Sequence, residues 1–331
     1  MNRRAGVFLA VLLACGGAIT GYAWHVAQRS RTSSVPADAS APALPPRPFL
    51  LFRSTALGDT HGRVALVDTP DGEPGLSAMR CERVHFAGTR GICLEARRGA
   101  LTTYHAHVFD TRFAPLASYP LAGPPSRARM SPDGRWAAFT VFISGHSYGS
   151  PGFTTRTSIV DARDGGIVVA DLEKWQVLRD GRPFAAIDFN FWGVSFANDG
   201  RRFYATLGTG GTTWLVEGDL AVRRMRLLQQ GIECPSLSPD GTRIAFKQRE
   251  PGLRVAWRPA VLDLATRRVM VLPETRGIDD QVEWLDDEDI VYARPDDPGG
   301  GATTSLWTLR ADGSTAPRRL LAGASSPAVV R

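Results

Sequence analysis

Lysine is almost missing from this chain. Lys174 and Lys247 are the only two among 39 basic residues, so arginine carries nearly all the positive charge, which reads as compositional bias and not as a functional signal. A basic surface is missing as well. The formal net charge is +6, but the first 31 residues hold Arg3, Arg4, Arg29 and Arg31 and no acid, which leaves only two units for everything after them. That is too little to neutralise a track of phosphates, and it speaks against nucleic acid as a partner. Strong hydrophobic or charged bias is also lacking: 43% hydrophobic and 22% charged residues exclude a wholly disordered or fibrous chain.

What is abundant is the turn. The 331 residues include 34 glycines and 23 prolines, well above the usual combined share of roughly 12%. Frequent turns favour many short strands over long helices.

Arg3 and Arg4 precede an apolar stretch from Ala5 to Ala27, interrupted by few polar residues such as Thr20 and His25. A helix of that length, at 1.5 Å per residue, spans a hydrocarbon core of about 30 Å. Residues 1–28 are therefore expected to be a signal peptide or a retained membrane anchor, with lipidation at Cys15 as the third option. The first two rank higher because the apolar run continues past Cys15 to Tyr22 and Trp24. Each places the body of the chain outside the cytoplasm. Residues 29–46, rich in Pro, Ala and Ser, are expected to be a semi-rigid linker.

Beyond the linker the sequence repeats. Arg129 to Phe139 reads RMSPDGRWAAF and Ser236 to Phe246 reads SLSPDGTRIAF. Val194 to Tyr204 (VSFANDGRRFY) and Val282 to Tyr292 (VEWLDDEDIVY) are weaker copies, and His85 to Leu94 (HFAGTRGICL) is the faintest. In S-P-D-G, proline presets the second turn position, aspartate tolerates the third and glycine takes the left-handed residue. The strand that follows is apolar on consecutive residues, as expected when both faces are covered. Intervals of roughly 40 to 50 residues between most copies, each with several strands, point to propeller blades. Residues 48–78 supply strands two to four of a blade but no first strand. Ser325 to Val330 resembles the missing one, which predicts an all-β, six-bladed propeller over residues 47–331, closed by pairing the last strand with the first blade.

These S-P-D-G hairpins and the V-x-D-x-x-x-G turns that close the third strands resemble the TolB-like propeller family, a WD40-like repeat architecture. The resemblance covers residues 47–331 and implies an envelope-located binding role. TolB carries an α/β domain ahead of its propeller, whereas this chain has only a tether there.

Several residues invite chemical readings. Gly145-His146-Ser147-Tyr148-Gly149 matches G-x-S-x-G, but Ser150, Pro151 and Gly152 follow where a nucleophile elbow needs a helix, so a loop is expected. Cys81 and Cys93 flank one hairpin and are expected to form a disulfide in an oxidising compartment if residues 86–88 make the loop. A one-residue slip would place them on opposite faces. Cys234 is expected as a buried free thiol. His105 and His107 share a strand face without an evident third metal ligand, and Asp286, Asp287, Glu288 and Asp289 read as a solvated turn and not a calcium loop. No metal or other cofactor and no catalytic residue is expected.

In a propeller, the connections between strands two and three and between blades share one face of the disc, and the S-P-D-G turns share the other. Insertions at 143–155, 173–191, 249–257 and 295–304 fall on the first face, where function is expected to reside. Entry residues of the first strands there are expected to be Arg80, Arg129, Asn190, Glu233 and Asp280, with Asp188, Tyr148, Trp192 and Trp257 adding contacts of the kind found in recognition hot spots. The resulting expectation is a monomeric, non-enzymatic scaffold that binds an envelope protein, peptide or glycan and meets the membrane through its N-terminal segment. The alternative is a lactonase- or lyase-like enzyme at the channel mouth, with Glu233 or Asp280 as metal ligand or base.

Overall fold

The computed structural model describes residues 41–149, 152–250, 252, 256–297 and 301–331. The expected signal or anchor segment lies outside the described residues, as does most of the linker.

The chain forms six sheets. After β1 (Phe49–Ser54), β2 (Arg63–Val67) and β3 (Gly75–Arg80), the second blade is built from β4 (Arg83–Ala87), β5 (Arg90–Arg97), β6 (Thr103–Phe109) and β7 (Pro115–Leu121). The third contains β8 (Pro125–Met130), β9 (Trp136–Ser144), β10 (Thr154–Asp161) and β11 (Ile167–Val169). A 3-10 turn at Leu172–Lys174 then leads into the hairpin of β12 (Gln176–Arg179) and β13 (Arg182–Phe184). Blade four follows as β14 (Asn190–Phe196), β15 (Arg202–Thr209), β16 (Thr212–Asp219) and β17 (Arg224–Gln230). Blade five has β18 (Glu233–Leu237), β19 (Arg243–Arg249), β20 (Trp257–Asp263) and β21 (Val269–Val271). Blade six has β22 (Glu283–Trp284), β23 (Asp289–Pro295), β24 (Thr304–Arg310) and β25 (Arg318–Leu321), and β26 (Ala324–Val330) returns to the start.

The strand order β26-β1-β2-β3 shows the expected closure. Leu50 pairs with Val329 and Leu51 with Ala328, so the final strand is the innermost strand of blade one. The fold is an all-β, six-bladed propeller.

Each S-P-D-G turn is held by its own side chains. The Ser131 hydroxyl accepts from Trp136 N at 2.8 Å and the Asp133 carboxylate from Arg135 N at 3.0 Å; Ser238 and Asp240 repeat the pattern with Arg243 N and Thr242 N. Gly134 and Gly241 take φ of 70° and 73°, a conformation that costs glycine nothing and other residues about 1 kcal/mol or more. The turns are also belted to one another. Trp136 Nε1 donates to Gly200 O, Asn198 Nδ2 to Pro239 O, and Asp240 N to the Asp287 carboxylate.

Apolar residues fill the spaces between blades, as the non-alternating strands require. One cluster joins Trp136, Ala138 and Ile159 of blade three to Phe191, Phe203 and Val216 of blade four; another joins Leu51 and Leu66 of blade one to Phe86 and Phe109 of blade two.

The insertion at 173–191 contains the β12–β13 hairpin, and β12 lies parallel to β17, extending blade four outward to six strands. The reason is apolar: Val177 is buried there, with Trp175, Phe184 and Phe189 packed on the same cluster. The Cys81–Cys93 disulfide forms, with Cα atoms 5.4 Å apart, but the turn sits at Gly88-Thr89 and Val84 is the ladder partner of Cys93. Cys81 lies ahead of the ladder, where its N–H donates to Gly62 O, and from that connection it reaches Cys93. Cys234 is a buried free thiol.

Candidate functional site

The two ends of the central channel differ. At the end where the S-P-D-G turns emerge there is a recess of about 260 Å³, rimmed by Gly88, Pro132, Asn198, Pro239 and Arg331. Behind the floor of that recess, among Arg83, Arg127, Asp280, Gln281 and Ser326, the space shrinks to about 10 Å³, at the lower limit for one water.

The floor of the recess is an ion pair. Arg129 and Glu283 lie on the first strands of blades three and six, and the Arg129 guanidinium bonds Glu283 Oε2 through Nη1. Its Nη2 donates to Val282 O at 3.0 Å. His85, from blade two, accepts a hydrogen bond from Met130 N at Nδ1 (3.1 Å). The neutral ring therefore carries its proton on Nε2, which donates to Glu283 Oε2 at 3.1 Å. Burial and the Arg129 charge both lower the His85 pKa, which keeps the ring neutral. Burial works to raise Glu283, yet Arg129 and the His85 hydrogen bond outweigh it and hold the carboxyl at about 2. Arg129 Nε is buried and has no partner among the described residues.

Around this floor the first strands contribute small hydroxyls. Ser195 accepts from Leu237 N, and Ser236 lies 3.4 Å from Arg129 Nη2. Arg331 is exposed at the mouth while its guanidinium donates to Trp284 O.

The closed end is packed with cations over aromatic rings. Lys247 is fully buried and donates to Asp279 Oδ1 at 2.7 Å; Arg127 reaches the same oxygen at 3.2 Å. The Arg127 guanidinium lies 4.8 Å from the Tyr148 ring centroid, and Lys247 Nζ lies 4.3 Å from that of Trp257, in range for cation–π attraction. Gln281 ties blades four and five together by donating to Val194 O and Pro235 O. Burial opposes ionisation of Asp279, but Lys247 and Arg127 prevail and lower its pKa. Its side chain is still 56% exposed, so these pairings are screened on one side.

The expected contact residues are scattered by this geometry. Tyr148, Trp192 and Trp257 meet in one cluster but are core: they are 1%, 1% and 6% exposed, with Tyr148 and Trp192 rings 5.2 Å apart. Glu233 is fully buried, paired with Arg249 at 3.0 Å. Asn190 is buried and accepts from Thr155 N, while Asp188 accepts from Thr209 and Gly210 at the surface. Asp280 accepts from Ser326 N at the closed end. Two placements are corrections. Arg129 is the penultimate residue of β8, not its entry, because β8 begins at Pro125. Arg80 ends β3 in blade one and donates to Asp59 O; it lies outside the channel. The G-x-S-x-G serine sits in a turn where Ser147 accepts from Gly149 N.

Sequence reading missed His85, Glu283, Arg127 and Lys247. One signal was present: Arg129, Ser236 and Glu283 occupy equivalent places just ahead of their turns, the places that face the channel in three blades.

No family model and no curated protein matches the sequence. Solved structures do match. The crystal structure of TolB from Acinetobacter baumannii is similar with a TM-score of 0.59 and 18% identity, over 86% of this chain and 67% of that one. A chain in the crystal structure of a nidogen/laminin complex is similar with a TM-score of 0.55 and 10% identity, over 85% of this chain and 97% of that one. At these identities the likeness establishes the fold alone, a β-propeller like that of TolB.

Proposed function

We propose that this chain is an extracytoplasmic binding protein that seats a segment of an envelope protein, peptide or glycan in the recess at the turn-bearing end of its channel. One observation carries the reading: among the described residues the turn-bearing end opens into a recess of about 260 Å³ with the Arg129–Glu283 pair at its floor, while the space beyond that floor is only about 10 Å³. The TolB-like fold and a buried disulfide agree with residence outside the cytoplasm. The N-terminal apolar segment supplies a signal or an anchor, and the linker holds the propeller away from the membrane.

The recess suits a partner group with a carboxylate or other acceptor, because the guanidinium of Arg331, exposed at its mouth, donates hydrogen bonds and has no acceptor capacity. The lactonase- or lyase-like alternative needs an open Glu233 or Asp280. The burial of Glu233 against Arg249 and the Ser326 contact of Asp280 favour binding.

Photo-crosslinking in the full chain tests this. A crosslinking side chain at Asn198 or Pro239, on the recess rim, is expected to capture a partner from envelope extract, and one at Ile187, fully exposed on the other face, is not. Capture only from Ile187 would move the site to the loop-rich face.

A further inference from the structure

Outside the channel, on blade two, three chemically distinct side chains converge. Glu95 is on β5, His107 on β6 and Ser118 on β7, the last strand of its sheet. His107 stands opposite both Cys93 and Ser118 in the ladders, and Glu95 lies one diagonal step away. The imidazole bridges its neighbours: Nε2 is 2.8 Å from Glu95 Oε2 and Nδ1 is 2.7 Å from Ser118 Oγ.

The proton assignment follows from the partners. Glu95 is held ionised, chiefly by the His107 hydrogen bond against a smaller burial effect, with Arg97 Nε donating to the same oxygen at 2.8 Å. An ionised carboxylate only accepts, so the neutral ring donates from Nε2 and leaves the Nδ1 lone pair facing the serine hydroxyl. A hydroxyl, a base within hydrogen-bond reach and a third group that orients the base make the arrangement of an activated nucleophile. His107 is 7% exposed, whereas Ser118 lies open on the outer strand.

A groove of about 440 Å³ is lined by His107 and Glu95, with Met79, Phe113 and Pro115 as apolar wall and Arg80, Arg97 and Arg112 as charged wall; Ser118 does not line it but touches it through His107. Its size matches a small ligand. Because β7 has no outer neighbour in its sheet, one row of its N–H groups is not used by a ladder and can polarise a carbonyl beside Ser118.

We propose that Ser118 is a nucleophile acylated by short-chain carboxylic esters, with His107 as its base and Glu95 as the positioning residue. Ser118 Oγ bonds to the acyl carbon and its proton passes to His107 Nδ1. The ester C–O bond breaks, and the alcohol leaves with that proton. Water then attacks the acyl-serine by the same route, giving the carboxylic acid and restoring the hydroxyl. This activity is independent of binding in the channel.

Diisopropyl fluorophosphate labelling and p-nitrophenyl acetate hydrolysis by the full chain test it. A single phosphoryl adduct is expected on the peptide holding Ser118. Ser118→Ala removes both the adduct and the hydrolysis, His107→Gln slows labelling at least tenfold, and Glu95→Gln slows it while moving its pH profile to lower pH. Since Ser118 is exposed, S118A with unchanged melting and an intact Cys81–Cys93 disulfide decides the matter even if H107Q unfolds. Absence of a Ser118 adduct, labelling as fast in a folded H107Q, or hydrolysis that survives S118A would overturn the assignment.

Discussion

The two ends of the channel differ in the side chains gathered at them: the turn-bearing end is lined from the innermost strands, whereas the other draws on Arg127 of β8, Lys247 of β19, Trp257 of β20 and the connecting residues Tyr148 and Asp279. At the turn-bearing mouth the inward residues are an arginine, a glutamate, a neutral histidine and serines, whose pairing leaves a recess of about 260 Å³. At the other mouth Lys247 and Arg127 fold over Tyr148 and Trp257 and grip Asp279. Long cationic stems fill space that short hydroxyls leave empty. A pseudo-symmetric ring therefore acquires a front and a back through a handful of side chains.

Breaking the open mouth should have the largest effect. Arg129→Ala leaves Glu283 buried without its counter-charge, and removing one partner of such a pair costs about 3 to 5 kcal/mol. The denaturant midpoint is expected to fall accordingly, together with crosslinking at Asn198. Breaking the closed mouth should cost less. Lys247→Met keeps the volume and Arg127 still holds Asp279, so the loss is expected near 1 to 2 kcal/mol after screening at the exposed carboxylate. Crosslinking at Asn198 should survive, and its loss would show that the two mouths are coupled.

The smallest effect near neutral pH sharpens the same contrast. His85 is neutral in the fold but takes up a proton near its ordinary value of 6.5 when unfolded, so stability is expected to decline as pH drops through 6.5. Glu283, held at about 2 against an ordinary 4.5, adds a second decline as pH falls through 4.5 toward 2. Thermal melting across this range should show both, and His85→Gln, able to accept from Met130 N and donate to Glu283, should remove only the upper one.

Much of the architecture was legible because turn chemistry is local. The S-P-D-G copies predicted the hairpins, and the surplus of strands two to four at the start, set against one stray strand at Ser325–Val330, predicted the closure. The candidate site was less legible because its contacts are remote in sequence: His85 meets Glu283 across 198 positions and Arg129 meets it across 154. Aromatic residues misled for a related reason. Tyr148 and Trp192 stand in loop-like or polar surroundings in the sequence, yet neighbouring blades cover them. The hairpin at 176–184 escaped notice because its strands are three and four residues long. His105 and His107 were visible as a same-face pair, but the useful neighbours of His107 sit on adjacent strands, where register and not spacing brings them together.

The clasp of β26 against β1 has a kinetic consequence. Arg47 and Arg331, which it brings into hydrogen-bond contact, are 284 positions apart, so this pairing completes only after nearly every other strand is available, and such remote contacts form slowly. In the interval blade one waits with a raw inner edge while the matching strand hangs free. Two chains caught in that interval can satisfy each other as readily as themselves, so intermolecular exchange of this one strand is the misassembly to which the architecture is most exposed.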